Sequence, residues 1–332
     1  MRFLPTPEQR DFARSLDALL TASDTPSAIR SWAAGDHGPG RALWARLAGA
    51  GVLALAAPEA QDGAGRLPVE LALAYRELGR HAVPGPLVET AAATALLSHL
   101  ADTGAPDPAK RLLPALLAGE SVVTLAVPEG GGYALDPDAA DAVLVVTGEA
   151  AGTELRLAPA HGPLHTSLDP ARRLAVPAPG GELLAAGPAV AEAAGCAVRW
   201  ARLATSAQSV GLAEELLRRT VAYVKQRTQF GVEIGSFQAV KHRLADTLLA
   251  VEFARPLVYG AALTLAPGDL AAAKTAAGEA AYTAARTALQ LHGAVGYTEE
   301  LPLSLWLRKA RPLRDTWGTP AQCRAELLTA CS

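Results

Sequence analysis

Apolar positions along this chain recur first at helical spacing, then in short β-prone runs, then at helical spacing again. Thr6, Pro7, Glu8 and Gln9 open the first stretch as a helix start. Thr6 can cap, Pro7 suits the first turn and Gln9 completes a capping box, after which Phe12, Leu16, Leu19 and Leu20 mark one apolar face. Further helices are predicted from Leu43 to Ala50, from Val69 to Leu78 with Gly79 as the end, and from Thr90 to Leu100. Pro58, Gly63, Gly65, Pro84 and Pro86 supply the turns between them.

From Ser121 the pattern changes. Val122 to Val127, Ala142 to Val146, Leu155 to Leu157 and Leu174 to Val176 read as short strands separated by Gly, Pro and Asp. Helical periodicity returns near Val190 and runs to Arg227, resumes from Phe237 to about Leu263, and again from Leu270 to Leu291, with a closing helix from Pro320. The order is helices, strands, then long helices, so the predicted class is α+β, divided at 1–118, 119–188 and 189–332. Gly130, Gly131 and Gly132 form a bare cluster that reads as a turn, and no GxGxxG follows a strand, which disfavours a nicotinamide enzyme.

Composition narrows the class. Half of the 332 residues are hydrophobic while aromatics are 5%, so Ala, Leu and Val must pack the interior, which suits close-packed helices. A net charge of -3 supplies no basic field for nucleic acid. Charged residues follow the start at Met1 almost at once, and the apolar runs are broken before the ~18 residues of a membrane span, so no membrane partner and a cytoplasmic setting are expected. Cys196, Cys323 and Cys331 are an odd, scattered set that fits neither a disulfide framework nor a zinc site, and no metal is expected. His242 and His292 are taken as helix-surface or packed residues.

Two segments carry chemistry. Arg227, Thr228, Gln229, Phe230 and Gly231 lie between the first two long C-terminal helices: Arg227 offers a planar fork for a pyrophosphate, Gly231 admits close backbone approach and Phe230 can cover a ring. Gln290, Leu291, His292, Gly293, Ala294, Val295 and Gly296 end the third, where paired glycines can bring amides to a phosphate and Gln290 can donate to an adenine edge. Taken separately, each segment also reads as a helix cap and turn.

Together, in this order and separation, the two segments resemble the acyl-CoA dehydrogenase family. Trp44, Leu47, Gly51, Pro58, Glu59 and Gly63 resemble its N-terminal helical domain, and Leu113 to Thr124 its entry into the β domain. The resemblance implies an N-terminal helical domain, a small central β domain and a C-terminal four-helix bundle. It implies FAD as cofactor and an acyl-CoA thioester as substrate, with Arg227, Gln229, Phe230, Gln290, Gly293, Gly296 and Thr319 touching the nucleotide of a neighbouring subunit's FAD. In that family a carboxylate takes the α proton while flavin takes the β hydrogen as hydride.

Neither family position for that carboxylate is acidic here. The C-terminal one, in a Tyr, Glu, Gly, Thr motif, corresponds to Thr316, Trp317, Gly318 and Thr319, and an indole accepts no proton at neutral pH. The alternative falls around Ala201, between Trp200 and Arg202. Asp315 is a weak candidate for a relocated base, and no catalytic residue is assigned with more weight. The family's flavin-contacting Ser, Thr and Trp are not recognisable in Pro128 to Tyr133 or Ala139 to Val146, so the chain's own flavin pocket is expected to be poor.

The resemblance therefore implies the base-lacking partner of a heteromeric enzyme, as the family contains for bulky CoA thioesters such as steroid side chains. The alternatives are a self-sufficient homo-oligomer with another base or reaction, and a non-catalytic structural subunit. The second subunit would be acyl-CoA dehydrogenase-like, with a flavoprotein or oxygen as electron acceptor.

Overall fold

The computed structural model describes residues 4–149 and 152–331, with side chains to Thr329. Met1 and the Cys331 thiol lie outside what is described. The helices are α1 (Pro7–Thr21), α2 (Thr25–Ala33), α3 (Gly38–Gly49), α4 (Pro68–Arg80), α5 (Leu87–Asp102) and α6 (Asp107–Leu117), followed after the strands by α7 (Pro188–Gln226), α8 (Gln238–Thr264), α9 (Pro267–His292), α10 (Leu303–Asp315) and α11 (Pro320–Cys331). The strands are β1 (Val123–Ala126), β2 (Ala134–Leu135), β3 (Ala142–Thr147), β4 (Glu154–Leu157), β5 (His165–Thr166), β6 (Arg173–Ala175), β7 (Glu182–Ala186), β8 (Thr228–Gln229) and β9 (Val232–Glu233). No helix among the described residues is long and apolar enough to cross a membrane.

The cap expected at the first helix is present: the Gln9 amide N–H donates to the Thr6 hydroxyl, and the Gln9 side chain accepts from the Thr6 amide at 2.9 Å. Gly79 behaves differently from the expected terminator, since α4 continues through it to Arg80. A Cβ there would stand 2.1 Å from the Gln208 carbonyl oxygen, and one on Gly211 would stand 1.8 Å from that of Arg76. Both glycines exist so that α4 and α7 can touch backbone to backbone. The sequence reading also placed no helix at α10. Its apolar stripe of Leu303, Trp306, Ala310 and Leu313 is narrow, and it is set among arginines with Pro312 inside.

The backbone packs as two compact units, Met1–Pro26 with Ala72–Val83 and Thr205–Ser332, and Ser27–Leu71 with Pro84–Ala204. In the second unit α5 is buried on all sides, and Thr90, at its first turn, donates its hydroxyl to the Val123 carbonyl at 2.6 Å. Beside it lie a four-stranded sheet in the order β1-β3-β4-β7 and a three-stranded one in the order β2-β6-β5. β1 and β3 are parallel, with Val123 opposite Ala142; the other pairs are antiparallel, and β4 carries a register shift at Leu155/Arg156 against β7. Gly130, Gly131 and Gly132 form the turn after β1, with φ of 92° and 71° at the last two.

A buried polar cluster ties helices to sheet within this unit. Asp136, fully buried at φ 46°, accepts from Trp32 Nε1 at 3.1 Å and from the Arg173 amide at 2.8 Å. Burial pushes its carboxyl up to about 7 despite the pull of Arg173. Arg173 Nη2 lies 2.6 Å from His37 Nε2, and burial followed by that guanidinium holds the imidazole below its usual range.

Candidate functional site

The first motif is a hairpin closed by a two-residue turn. After α7 ends, Thr228 pairs with Glu233 and Gln229 with Val232, so Phe230 and Gly231 occupy the turn with φ of 53° and 80°. Positive φ at both central positions is the twist a tight antiparallel hairpin requires, and it is costly for a ring-bearing residue. Phe230 is nonetheless 93% exposed, touching Phe237 edge-on at 6.4 Å. The Arg227 carbonyl accepts from the Ile234 amide at 2.8 Å, while no described residue engages its exposed guanidinium. The Gln229 side chain donates to the Thr228 carbonyl at 2.8 Å.

The second motif is the end of α9. Gly293 has φ 60° and ψ −140°, a conformation open to glycine almost alone, and a Cβ there would meet nothing within 4 Å. Gln290 is exposed, and no described residue engages its side-chain amide. Gly296 faces inward: a Cβ would lie 3.1 Å from both the Leu289 carbonyl oxygen and the His292 Cβ. The structure brings the two motifs together through a pair the sequence reading did not single out. Tyr223, one turn before Arg227, stacks on His292 with ring centroids 4.1 Å apart, and His292 Nδ1 lies 2.7 Å from the Ala288 carbonyl. Burial lowers the His292 pKa, so the ring packs as neutral imidazole. His292 is thus a packed residue and His242 an exposed one, as expected.

The third piece is the turn between α10 and α11. Trp317 is 3% exposed at φ 56°, followed by Gly318 at φ 121°. Thr319 begins α11 with a reciprocal cap: the Gln322 amide donates to its hydroxyl at 3.3 Å, and Gln322 Oε1 accepts from the Thr319 amide at 2.9 Å. The Thr319 hydroxyl also donates to Gln322 Oε1 at 2.9 Å, so its proton is committed to the cap. Asp315 is held by Arg311 Nε at 2.8 Å and Arg314 Nη1 at 3.1 Å, one guanidinium on each oxygen. Trp200, Ala201 and Arg202 are all buried on α7.

One further charged cluster lies apart from these motifs, in a cleft of about 620 Å³ lined by α1, α4 and Tyr259. Asp17, Glu77 and His81 place ligand atoms within 4.8 Å of one another. Arg80 Nη1 reaches Glu77 at 2.7 Å and Asp17 at 3.3 Å, and Arg76 reaches Glu77 at 3.1 Å. Guanidinium groups thus stand where a cation would neutralise the carboxylates.

Comparison with known proteins decides the family. Residues 6–120 match the acyl-CoA dehydrogenase N-terminal domain, and residues 191–325 match the acyl-CoA dehydrogenase C-terminal domain. The acyl-CoA dehydrogenase IpdE2 of Mycobacterium tuberculosis is 35% identical over 319 residues, covering 95% of each chain. The chain belongs to the acyl-CoA dehydrogenase family. The IpdE2 of Mycolicibacterium smegmatis is 32% identical over 318 residues, covering 95% of this chain and 96% of that one. Among solved structures, the ChsE4-ChsE5 complex of Mycobacterium tuberculosis aligns over 100% of this chain and 98% of its own with a TM-score of 0.83 at 24% identity, a likeness of fold. The Tcur3481-Tcur3483 steroid ACAD G363A variant aligns with a TM-score of 0.81 at 25% identity, over 98% of this chain and 99% of its own. The three-part architecture expected from the sequence is therefore that of the family, and the chain is an oxidoreductase of the acyl-CoA dehydrogenase type.

Proposed function

We propose that this chain is one partner of a heteromeric acyl-CoA dehydrogenase. It lends its hairpin and the end of α9 to an FAD seated mainly in a neighbouring subunit, and it brings no carboxylate base of its own. The observation that carries the reading is the openness of two donors: the Arg227 guanidinium and Gln290 amide stand exposed and unengaged among the described residues, and Gly293 beside them has open space where a Cβ would stand. Such donors fit a nucleotide arriving from outside the chain.

FAD, when bound, supplies the acceptor for the β hydrogen of an acyl-CoA thioester. The chain's own residues bind and orient. Arg227 would fork onto the pyrophosphate, Gln229 and Gln290 would offer amides, Gly293 and Gly296 would shape the backbone, Phe230 would cover the ring system and Thr319 would border the nucleotide. Trp317 fills the position of the family's glutamate, excluding water from the acyl site without moving a proton. Asp315 is too encumbered by Arg311 and Arg314 to stand in.

A partner of similar fold is supported by α8. Leu249, Phe253 and Leu257 recur every fourth residue and are exposed, Phe253 at 72%, and Phe230, Val232 and Phe237, in the hairpin and at the start of α8, are exposed as well. An apolar stripe of this extent is a surface awaiting another chain. The steroid name carried by Tcur3481-Tcur3483 favours a bulky acyl group.

The test is the visible spectrum of the chain purified alone and co-purified with an acyl-CoA dehydrogenase-like partner. Flavin bands in the complex alone are expected. Stoichiometric flavin in the lone chain would sink the proposal in favour of a homomeric enzyme, and a complex whose flavin survives substitution of Arg227 and Gln290 would favour a structural subunit.

A further inference from the structure

Lys274 is among the largest fully buried side chains of the protein, at 1% exposure on α9. Its ammonium donates to two main-chain oxygens, Leu313 O at 3.1 Å and Arg314 O at 2.8 Å. These are carbonyls of the last turn of α10, where a helix has no intrahelical donors to offer and where its dipole leaves negative charge. The Pro312 carbonyl is taken by the Thr316 amide at 2.9 Å, so the buried cation does for the next two carbonyls what water does at an exposed helix end.

Other residues of α9 grip the same turn. A Cβ on Gly278 would lie 3.3 Å from the Arg314 Cα, so the glycine permits that approach, and Glu279 accepts from Arg314 Nη2 at 3.0 Å. Directly beyond the gripped turn stands Trp317 at φ 56°, a strained conformation for a bulky residue, which persists only where its surroundings over-determine it. On the far side the Thr319 and Gln322 cap fixes the start of α11.

We propose that Lys274 is the positioning residue of the Trp317 turn. Its ammonium locks the carbonyl end of α10, and through it the backbone from which the Trp317 indole projects. The consequence for acyl binding rests on the reading of Trp317 given above; the consequence for the turn does not.

Two measurements separate these. Hydrogen exchange on the lone chain reads the turn: in Lys274→Met, amides of residues 316–323 should exchange about tenfold faster while peptides of α7 and α8 keep their protection. Lys274→Arg, which restores a donor, should recover most of that protection, and Lys274→Gln is the second variant if the methionine chain fails to fold. Unchanged exchange at 316–323, or an increase spread evenly over α7, α8 and α9, would overturn the proposal. In the flavin-loaded complex, Lys274→Met should raise KM for acyl-CoA about tenfold with kcat held within about twofold, and adding Trp317→Phe should raise it no further. Additive effects of the two substitutions would reduce Lys274 to general stability. A complex without flavin would defeat the functional reading and leave the exchange result standing.

Discussion

The Arg227 hairpin and the Trp317 turn are both short connections between C-terminal helices, and both hold an aromatic residue at positive φ. They differ in everything around that ring. Phe230 projects into solvent three residues from a guanidinium that no described residue engages, whereas Trp317 is enclosed between a helix end fixed by Lys274 and a helix start fixed by a reciprocal cap. Under the proposed function, backbone strain next to exposed donors belongs to a surface that takes a ligand, while the same strain inside a satisfied shell belongs to a part whose place is set in advance.

The largest effect that sharpens this contrast is at the enclosed ring. Trp317→Ala should cost ~3–5 kcal/mol of stability, read by denaturant unfolding, because it empties a packed site, whereas Phe230→Ala should change stability by less than about 0.5 kcal/mol. Equal losses at the two rings would break the comparison. Next is Arg227→Ala, which should weaken FAD retention by the co-purified complex by ~10- to 100-fold, the worth of a charge-assisted phosphate contact, with the thermal midpoint of the lone chain unmoved.

A pH experiment places a third, wholly enclosed site on the same scale. Asp136 has its carboxyl raised from 3.8 to about 7, so between those values the folded chain binds the extra proton. Its contribution to stability is complete below about pH 4 and is lost as pH rises through 7. Unfolding free energies at pH 5 and 7.5 should therefore differ in that direction, and Asp136→Asn should flatten the difference. Burial lowers the His292 pKa from 6.5, so its contribution runs the other way, present above 6.5 and lost as pH falls below it. Smallest is Thr319→Ala, which should cost about 1 kcal/mol through loss of the α11 cap.

Most of the fold was legible because helical periodicity is a local signal. The Thr6 and Gln9 box, the three long helices and four of the strands lie within a few residues of where the pattern put them. What was not legible depends on partners far along the chain. Gly79 reads as a stop until Gln208 is seen against it, and β2, β5 and β7 are too short or too exposed to show a period of two. The two motifs were visible by residue type, but their juxtaposition through Tyr223 and His292 was not. Lys274 left a usable trace: it lies on the apolar face shared by Leu270, Ala273, Ala277 and Ala281, where a lone lysine has to find acceptors.

The two sheets of the central region also set the order in which this chain can be made. Their strands alternate in sequence, β1 in one, β2 in the other, β3 and β4 back in the first, β5 and β6 in the second and β7 closing the first. Neither sheet is a contiguous segment, and the four-stranded sheet is not complete until the chain has been synthesised through Ala186. The helices from Pro188 onward close their hydrogen bonds locally and need no such wait. Refolding of the lone chain is therefore paced by the sheets, and a ribosome stalled shortly before residue 186 would hold out a helical N-terminus with an unpaired strand edge.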